Sequence, residues 1–422
     1  MTTITRRSLA ALSLSIAAMG LSAPALATDG YFLNGVGAAA KGAGGVAIAM
    51  PQDGLAIVSN PAAAAQVGKR IDIGAELFVP RRGAQISGNG AGLNGTWSGN
   101  GANPFVLPEA SFVHPLLGGR FAVAIAISGN GGMNTHYKAN PFASFGATGA
   151  AGVNLRQISV SPTLAMRVAD GHSIGVSPVL VIQSFKAHGI QPFAAFSQDP
   201  ANVSNRGTDW TLGGGLRFGY LGSIGDAVKV GGFYQTKARH GRFKKYAGLF
   251  AGRGGFEMPE SWGVGLSVKP VQSLTLGVDY KHIAYSDVPS VGTPLSPLLL
   301  GKPFGAADGP GFGWRDIDVW KAGAVWQASD RLPLRAGYGH SENPVPRSET
   351  LLNVLAPGVI QYPSTAGASW KASDSLEVTG YIMRAPRKDV RGNGSIPAPF
   401  GGGEADIHLG ETAGGLLLGV TL

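Results

Sequence analysis

The segment Leu274-Thr275-Leu276-Gly277-Val278-Asp279-Tyr280-Lys281 alternates between two kinds of residue along its whole length. Leu, Leu, Val and Tyr occupy one set of alternate positions, and Thr, Gly, Asp and Lys occupy the other. Successive side chains of a β-strand point to opposite faces, so this pattern predicts a strand with one apolar face. Soluble sandwiches also contain such strands. The number of strands and their connections must therefore decide the fold.

The alternation recurs in fourteen segments of the chain. It repeats in Trp210–Tyr220 and in the last residues, where Leu416, Leu418, Val420 and Leu422 share one face. The segments lie near residues 70–79, 108–114, 120–129, 155–168, 172–185, 208–221, 227–237, 260–269, 273–284, 316–328, 331–341, 362–372, 374–384 and 409–422.

The connections between these segments alternate between short and long. Short turns lie near residues 114–119, 169–171, 222–226, 270–272, 329–330 and 373, and longer stretches rich in Gly, Pro and Asn lie between them. An even number of strands, with short turns at one end and long loops at the other, is typical of an outer-membrane barrel. The sequence therefore predicts an all-β fold, a 14-stranded antiparallel transmembrane β-barrel over residues 70–422.

The composition agrees with a barrel and excludes several other classes. The 422 residues include 66 Gly, 27 Pro and no Cys, and 14% are charged, against about 25% in soluble domains. After the first 27 residues no run of about 18 apolar residues occurs, so membrane-spanning helices are not predicted. Without Cys, an exported chain has no disulfides to stabilise it. The net charge of +9 is spread over loops and strands, which favours contact with anionic lipopolysaccharide over nucleic acid binding.

Two segments precede the first strand. Residues 1–27 contain the Arg6-Arg7 pair, then an uncharged Ala/Leu-rich run and then the cleavage-site pattern Ala25-Leu26-Ala27. This order predicts a signal peptide that is removed on export. Residues 28–69 look like short helices broken by Gly and Pro. A 14-stranded barrel has a lumen wider than its own side chains fill. We therefore expect residues 28–69 to plug it as a mostly helical hatch.

The sequence resembles the FadL/TodX family of transporters. The resemblance rests on Gly30-Tyr31-Phe32-Leu33-Asn34, on Asp53-Gly54 and on Ser59-Asn60-Pro61-Ala62, and it continues in the same order through later motifs. Those motifs are Pro259-Glu260-Ser261-Trp262, Trp314-Arg315-Asp316, Leu334-Arg335-Ala336-Gly337-Tyr338 and Asn343-Pro344-Val345-Pro346. It implies a 14-stranded barrel with a hatch that takes up long-chain fatty acids or other hydrophobic compounds in the outer membrane of a Gram-negative bacterium.

The resemblance also implies a ligand route. The hatch tip Tyr31, Phe32 and Leu33 would touch the ligand, which would leave sideways, by passive diffusion, through a kinked third strand at Ser128-Gly129-Asn130-Gly131-Gly132. Independently of the family, glycines at the end of a strand weaken its ladder and permit a bulge, although an ordinary Gly-rich loop start would look the same. We further expect Asn60, Pro61 and Ala62 to close a short helix inside the lumen.

The ligand itself stays open at this level. Basic residues expected near the pocket are absent between Lys302 and Arg315, which leaves Lys186 and Arg335 as candidates to meet a carboxylate and keeps neutral aromatics, alkanes or terpenoids possible. Apolar residues of the long loops, Phe142, Phe145, Phe193, Phe196 and Leu295–Leu300, would form an outer groove or simply pack the loops. The chain ends in Leu422 where such barrels commonly end in Phe.

Other functions are weighed against transport. Gly171-His172-Ser173-Ile174-Gly175 matches G-x-S-x-G, but a strand rather than a helix follows it, so no enzyme and no catalytic residue is predicted. No cofactor and no metal site is predicted either, since the eight His are scattered. The alternatives are a structural or adhesive surface barrel and a nonselective porin. Expected partners are the hydrophobic ligand, outer-membrane lipid with lipopolysaccharide and the barrel-assembly machinery, for a monomer that binds no nucleic acid.

Overall fold

The computed structural model describes residues 29–422, so the predicted signal peptide lies outside the described residues. Its strands form one antiparallel sheet. The strands are β1 (Arg70–Ser87), β2 (Gly95–Ser98), β3 (Phe105–Leu116), β4 (Phe121–Asn134), β5 (Gly152–Ala169), β6 (His172–His188), β7 (Asp209–Ile224), β8 (Val228–Gln235), β9 (Arg239–His240), β10 (Ser261–Val271), β11 (Leu274–Ile283), β12 (Ile317–Ser329), β13 (Leu332–Ser341), β14 (Ser364–Lys371), β15 (Leu376–Val390) and β16 (Glu404–Thr421).

The sheet closes on itself. Each barrel strand pairs with the next along the chain, and β1 also pairs with β16 from Arg70–Thr421 to Ser87–Glu404. Of the 16 strands, only the short β2 and β9 lie off this circuit, which leaves fourteen in the wall. Closure removes the unpaired edges that an open sheet would expose to lipid. The predicted 14-stranded antiparallel barrel is confirmed.

The strands are longer than the predicted segments at the end that carries the long loops. β1 continues eight residues past the predicted limit at 79 to Ser87, and β4 runs on to Asn134. These extensions contain Arg81-Arg82-Gly83 and Gly131-Gly132, which break the apolar alternation but still pair in the ladder. Side-chain pattern therefore underestimates strands wherever they leave the apolar layer.

The outer surface of the wall is apolar with aromatic residues toward both ends. Exposed aliphatic side chains such as Leu77, Leu216 and Val278 face outward from the middle of their strands. Trp210, Trp262 and Trp320 lie near the long loops, while Trp326 and Trp370 lie near the short turns. Two aromatic girdles around an apolar band are the surface that a bilayer requires.

Short helices make up the segment before β1 and parts of the long loops. In residues 29–69 they span Ala38–Gly42, Gly54–Val58 and Pro61–Ala65, the last two being 3₁₀ helices. The helix Leu117–Gly119 lies in the short turn between β3 and β4. The helices of the long loops are Ala143–Phe145, Gln191–Phe196, Pro200–Asn202, Lys244–Tyr246, Ala251–Gly254, Tyr285–Asp287, Pro289–Gly292, Ser296–Leu299, Arg347–Glu349, Thr350–Asn353 and Ala398–Phe400. Among residues 29–422, no helix has the length and apolar character to cross a bilayer.

Residues 29–69 fill the lumen so closely that the wall contacts them through glycines. A Cβ at Gly219 would lie 2.1 Å from Asn60, and one at Gly323 would lie 2.2 Å from the Ala43 carbonyl oxygen. Real Cβ atoms do not approach other atoms this closely, so only glycine fits at these wall positions. Part of the high glycine content thus reflects the close approach of the hatch to the barrel.

Candidate ligand cavity and wall opening

Two polar residues of the hatch cap its 3₁₀ helices. Asp53 accepts a hydrogen bond from the Leu55 N–H at 3.0 Å, and Asn60 accepts one from Ala62 N–H at 3.1 Å. The Asn60 amide also donates to the carbonyls of Ile48 and Tyr220, both at 2.8 Å. Asn60 therefore ties the hatch to β7 and begins the helix Pro61–Ala65. It does not close the preceding helix as expected, because that helix already ends at Val58.

An ion-pair cluster holds the hatch against β1 and β3. Lys41 of the hatch helix lies 2.6 Å from Glu76 and 3.3 Å from Glu109, and all three side chains are buried. Glu109 also accepts the Gly37 N–H at 3.1 Å, and Tyr381 donates to Glu76. Removing one partner of a buried ion pair leaves an uncompensated charge and is strongly destabilising. Lys41 is therefore a principal anchor of the hatch.

A second cluster places two carboxylates side by side. Asp72 on β1 accepts hydrogen bonds from Gly54 N–H and Ser111 Oγ, both at 2.9 Å, and is paired with Arg70 at 2.5 Å. Asp53 is buried beside it, and burial, followed by the charge of Asp72, raises the pKa of Asp53 to about 7. An unprotonated Asp53 thus opposes docking of the hatch near neutral pH.

The hatch tip is an aromatic cluster under the outer loops. The Tyr31 ring lies 5.0 Å from the rings of both Phe32 and Tyr285 and 5.8 Å from Trp314, measured between centroids. The Tyr31 N–H donates a hydrogen bond to the Tyr285 hydroxyl at 3.2 Å. Lys321 on β12 pairs with Asp29 at 2.8 Å. The structure thus buries Tyr31 and Phe32, while Leu33 remains partly accessible at the edge of a cavity.

This cavity, of about 80 Å³, lies between the hatch tip and the wall. Phe32, Leu33 and Val58 of the hatch form one side, and the wall supplies Phe233 and Val319. The polar lining of the wall comes from strands β7, β8, β10, β11 and β12 and comprises Arg217, Gln235, Ser261, Asp279, Lys281 and Lys321, and the hatch adds Asn34 and Ser59. The site is therefore mostly apolar toward the hatch and charged toward the opposite wall.

The charges that line the cavity do not balance. The Asp279 carboxylate accepts hydrogen bonds from the N–H groups of Ala47 and Ile48, at 2.8 and 3.0 Å, and so serves the hatch. Arg217 donates to Gln235, yet among the described residues its Nε and Nη1 atoms have no hydrogen-bond partner. Lys281 Nζ lies 5.0 Å from the Phe32 ring centroid and forms no ion pair within residues 29–422.

The wall beside this cavity is incompletely hydrogen-bonded. β4 pairs with β3 from Phe121–Leu116 only as far as Ser128–Glu109, although β3 continues to Phe105 along β1. On its other side β4 stays paired with β5, with a bulge between Gly129 and Gly131. Gly129 is buried and borders the cavity. The predicted kink segment thus combines a bulge with a missing ladder, where the cavity meets the wall.

The hatch backbone contacts this same segment. The Gly132 N–H donates to the carbonyl oxygen of Tyr31 at 3.0 Å. Hatch tip and kink, two separate predictions from the sequence, are therefore neighbours in space. Any displacement of Tyr31 also releases the N–H of Gly132.

The two basic residues singled out from the sequence lie elsewhere. Lys186 is exposed near the outer end of β6. Arg335 is buried on β13, where it donates to Gln52 of the hatch and to Ser369, both at 2.7 Å. Neither residue lines the cavity described above. Arg335 instead helps to hold the hatch.

The apolar loop residues form packed contacts and a second small space. Phe193 stacks on Phe304 with centroids 5.6 Å apart, and Phe142 meets Phe193 edge-on at 5.2 Å. An apolar cavity of about 30 Å³ lies among these loops, lined by Phe193 and Phe304 and by Phe250, Phe312 and Leu352. Phe145, Leu299 and Leu300 are exposed at the outer surface. The loops therefore supply both a packed cover and an apolar exterior.

Comparison with known proteins places the chain in a family. Residues 14–391 match the family model described as "Outer membrane protein transport protein (OMPP1/FadL/TodX)". The chain belongs to this family. The resemblance drawn from the hatch motifs and the outer-membrane location are both confirmed.

Solved structures related to the OMPP1/FadL/TodX family share the fold. A Pseudomonas aeruginosa FadL homologue superposes with a TM-score of 0.70 at 17% identity, over 93% of this chain and 99% of its own. The P. putida toluene transporter TodX gives 0.68 at 17% identity, over 92% and 99%. The Ralstonia pickettii toluene transporter TbuX gives 0.63 at 17% identity, over 92% and 99%. No curated protein sequence matches the chain.

Within this family fold, the cationic residues of the cavity escaped the sequence reasoning. Arg217 and Lys281 occupy the polar faces of the alternating segments Trp210–Tyr220 and Leu274–Lys281. The alternation marked both as facing the lumen. It carried no information on their height in the barrel or on which strands meet the hatch tip, because those depend on strand stagger and on the placement of residues 29–36.

Proposed function

We propose that this barrel takes up hydrophobic molecules that end in a carboxylate, such as fatty acids, by passive diffusion across the outer membrane. In this proposal residues 1–27 are the signal peptide, residues 28–69 are the hatch and residues 70–422 are the barrel. The observation that carries it is the cavity between hatch tip and wall, which is mostly apolar on one side. On the other side it carries Arg217 and Lys281, neither of which forms an ion pair within residues 29–422.

The charge of the cavity supports an acidic ligand. Arg217 and Lys281 form no ion pair with Asp279 in residues 29–422. The Oδ2 atom of Asp279 binds the hatch backbone, and its Oδ1 atom has no hydrogen-bond partner among the described residues. A buried guanidinium with free N–H groups gains most from a carboxylate, which accepts two of them. The related toluene transporters carry, by their names, a neutral hydrocarbon, so the cationic cavity argues for a different ligand class here.

The size of the cavity supports a moving hatch. Ligand sites commonly enclose about 300–1,000 Å³, whereas this one measures about 80 Å³. A ligand with a long chain therefore needs space that Tyr31 and Phe32 now occupy. Because Tyr31 also binds Gly132 of the kink, we propose that displacement of the tip opens the gap between β3 and β4. The ligand then leaves sideways into the membrane.

The remaining expectations fit this proposal. Ser173 of the G-x-S-x-G match lies on β6 and donates to the carbonyl of Ala62 at 3.1 Å, a structural contact that supports a non-enzymatic role. We further propose that the barrel acts as a monomer, contacts lipopolysaccharide through its basic loops and is inserted by the barrel-assembly machinery.

The test compares an acid with a hydrocarbon. Cells that express the double variant Arg217→Met, Lys281→Met should take up radiolabelled oleate about tenfold more slowly than wild type, since a charge-assisted bond of ~1.5 kcal/mol or more is lost. Toluene uptake should stay within about twofold. Lys186→Met is the matched control, because it removes an exposed basic residue away from the cavity.

The alternatives give different results in the same system. An equal fall of oleate and toluene uptake would contradict carboxylate recognition. Swelling of reconstituted liposomes in sugar solutions would indicate a nonselective porin. Uptake of neither compound above cells that lack the protein would favour the adhesive barrel.

A further inference from the structure

A third cavity lies on the other side of the hatch tip. It measures about 20 Å³ and lies between β1, β16, the end of β4 and the outer loop that carries Pro357. Gly132 and Asn134 of the kinked strand border it, and so do the buried Arg82 and Glu411. The cavity therefore adjoins the gap in the wall, but it shares no residue with the cationic cavity.

Arg82 is held firmly through its two Nη atoms, while its Nε–H is left over. It is 1% exposed, and its Nη1 donates to Asn103 Oδ1 at 2.9 Å and its Nη2 to Asn134 Oδ1 at 2.6 Å. Among the residues that the structure describes, its Nε has no hydrogen-bond partner. A buried N–H without a partner is costly, so this donor faces a position that another atom is expected to fill.

Glu411 leaves its acceptors unused in the same place. It is 2% exposed, and neither carboxyl oxygen has a hydrogen-bond partner within residues 29–422. It lies opposite Pro80 in the β1–β16 ladder, two residues from Arg82, yet no ion pair joins Glu411 to Arg82 in the described chain. The two groups therefore line one cavity without touching.

The chemistry of the missing group follows from these two neighbours. It must accept from Arg82 Nε and bond to Glu411, and a hydroxyl is the smallest neutral group that both accepts and donates. A carboxylate would face Glu411 and an ammonium would face Arg82, so either charge is disfavoured. The space of about 20 Å³ exceeds the roughly 10–15 Å³ that one water oxygen needs.

We propose that the cavity between Arg82 and Glu411 is a hydroxyl-binding subsite for hydrophobic alcohols or phenols at the wall opening. The proposal rests on the proposed uptake of hydrophobic molecules and extends it to hydroxylated ones. Met133, Trp314 and Leu409 complete the lining. A space of about 20 Å³ takes only the hydroxyl, so the hydrocarbon part of the ligand needs the displacement of the hatch tip proposed above. The hydroxyl of a bound ligand takes a position that a water molecule occupies otherwise.

Equilibrium binding of radiolabelled 1-octanol and octane to the purified protein in lipid nanodiscs tests the subsite. Wild type should bind octanol at least about tenfold better than octane after the empty nanodisc background is removed, as one charge-assisted hydrogen bond predicts. Glu411→Leu should lower this preference to about twofold or less. Glu411→Gln, which keeps an acceptor and a donor, should retain most of it. Glu404→Leu on the same strand, outside the cavity lining, should behave like wild type.

The outcomes separate the two proposals. An octanol preference that is absent in wild type, or unchanged in Glu411→Leu, means that only water occupies the cavity and overturns the subsite. A preference that depends on Glu411 supports the subsite even if cells take up neither octanol nor oleate. That last result would refute the proposed transport instead.

Discussion

The two flanks of β3 differ in one respect that bears on function. Along β1, β3 is paired from Val113 opposite Arg70 up to Phe105 opposite Phe78. Along β4, pairing stops at Glu109 opposite Ser128, and Phe105–Pro108 have no partner on that side within the described residues. The same four residues therefore sit in a complete ladder on one flank and beside a gap on the other.

The difference assigns the gap to β4. Phe105–Pro108 pair normally with β1, so their own conformation is compatible with a ladder. β4 instead carries the bulge between Gly129 and Gly131, and bulges bend a strand away from its neighbour. The hatch compensates in part, since Tyr31 accepts the N–H of Gly132. The β3–β4 ladder is thus interrupted beside the ligand cavity, and the hatch supplies one of the missing hydrogen bonds. This arrangement favours a gate over an irregularity without function.

Deleting residues 29–55 tests whether the hatch is what fills the barrel behind this gap. The deletion removes Lys41 and the aromatic tip and leaves the fourteen wall strands intact. We expect conductance in planar bilayers to rise many-fold, because a lumen of this width is not filled by wall side chains. Resistance to unfolding in SDS without heating checks that the barrel survives. A conductance as low as that of wild type would show that residues 29–55 are not the plug.

Replacing Gly129, Gly131 and Gly132 with Val tests whether the gap on the β4 flank can be closed. Val suits continuous strands, so in the triple variant the pairing of β3 with β4 should become as complete as its pairing with β1. Uptake should then slow by about tenfold or more, while ligand binding to the purified protein persists. The matched control is Gly232→Val, because a Cβ there meets no atom closer than 3.6 Å in a complete ladder. Full uptake by a folded triple variant would exclude lateral exit.

The smallest expected effect concerns the charged anchor of the hatch on β1. The docked hatch raises the pKa of Asp53 to about 7 from an ordinary 3.8, so the docked state holds a proton that the released state loses between these values. Docking should therefore be strongest near pH 4, weaken as the pH rises to 7, and stay level above it.

Asp53→Asn keeps the helix cap and removes this titration. Spontaneous channel openings in planar bilayers should increase between pH 5 and pH 7 in wild type and stay level in the variant. Asp308→Asn, at an exposed loop position, serves as the control. A slope that persists unchanged in Asp53→Asn would assign the pH dependence to another group.

Local pattern was sufficient for the wall. Alternation in segments such as Leu274–Lys281 depends only on which neighbours face lipid, and turn residues mark the strand ends, so the fourteen strands and their antiparallel order could be read directly. The glycine run at Gly129–Gly132 was visible for the same reason, since glycine acts on its own backbone. The short β2 and β9 escaped prediction because two to four residues carry no pattern.

Only the tertiary structure decided what meets at the cavity. The sequence alone determined a closed, hatch-filled barrel and placed Arg217 and Lys281 on polar strand faces. It also drew attention to Lys186 and Arg335, which the fold places on the outside and against Gln52. Which lumen-facing charges stand at one height depends on the stagger of the strands, and which of them stay unpaired depends on where the hatch donates its own groups. Both are set by contacts between residues more than 150 positions apart, such as Asn60 with Tyr220, and short-range periodicity does not encode them.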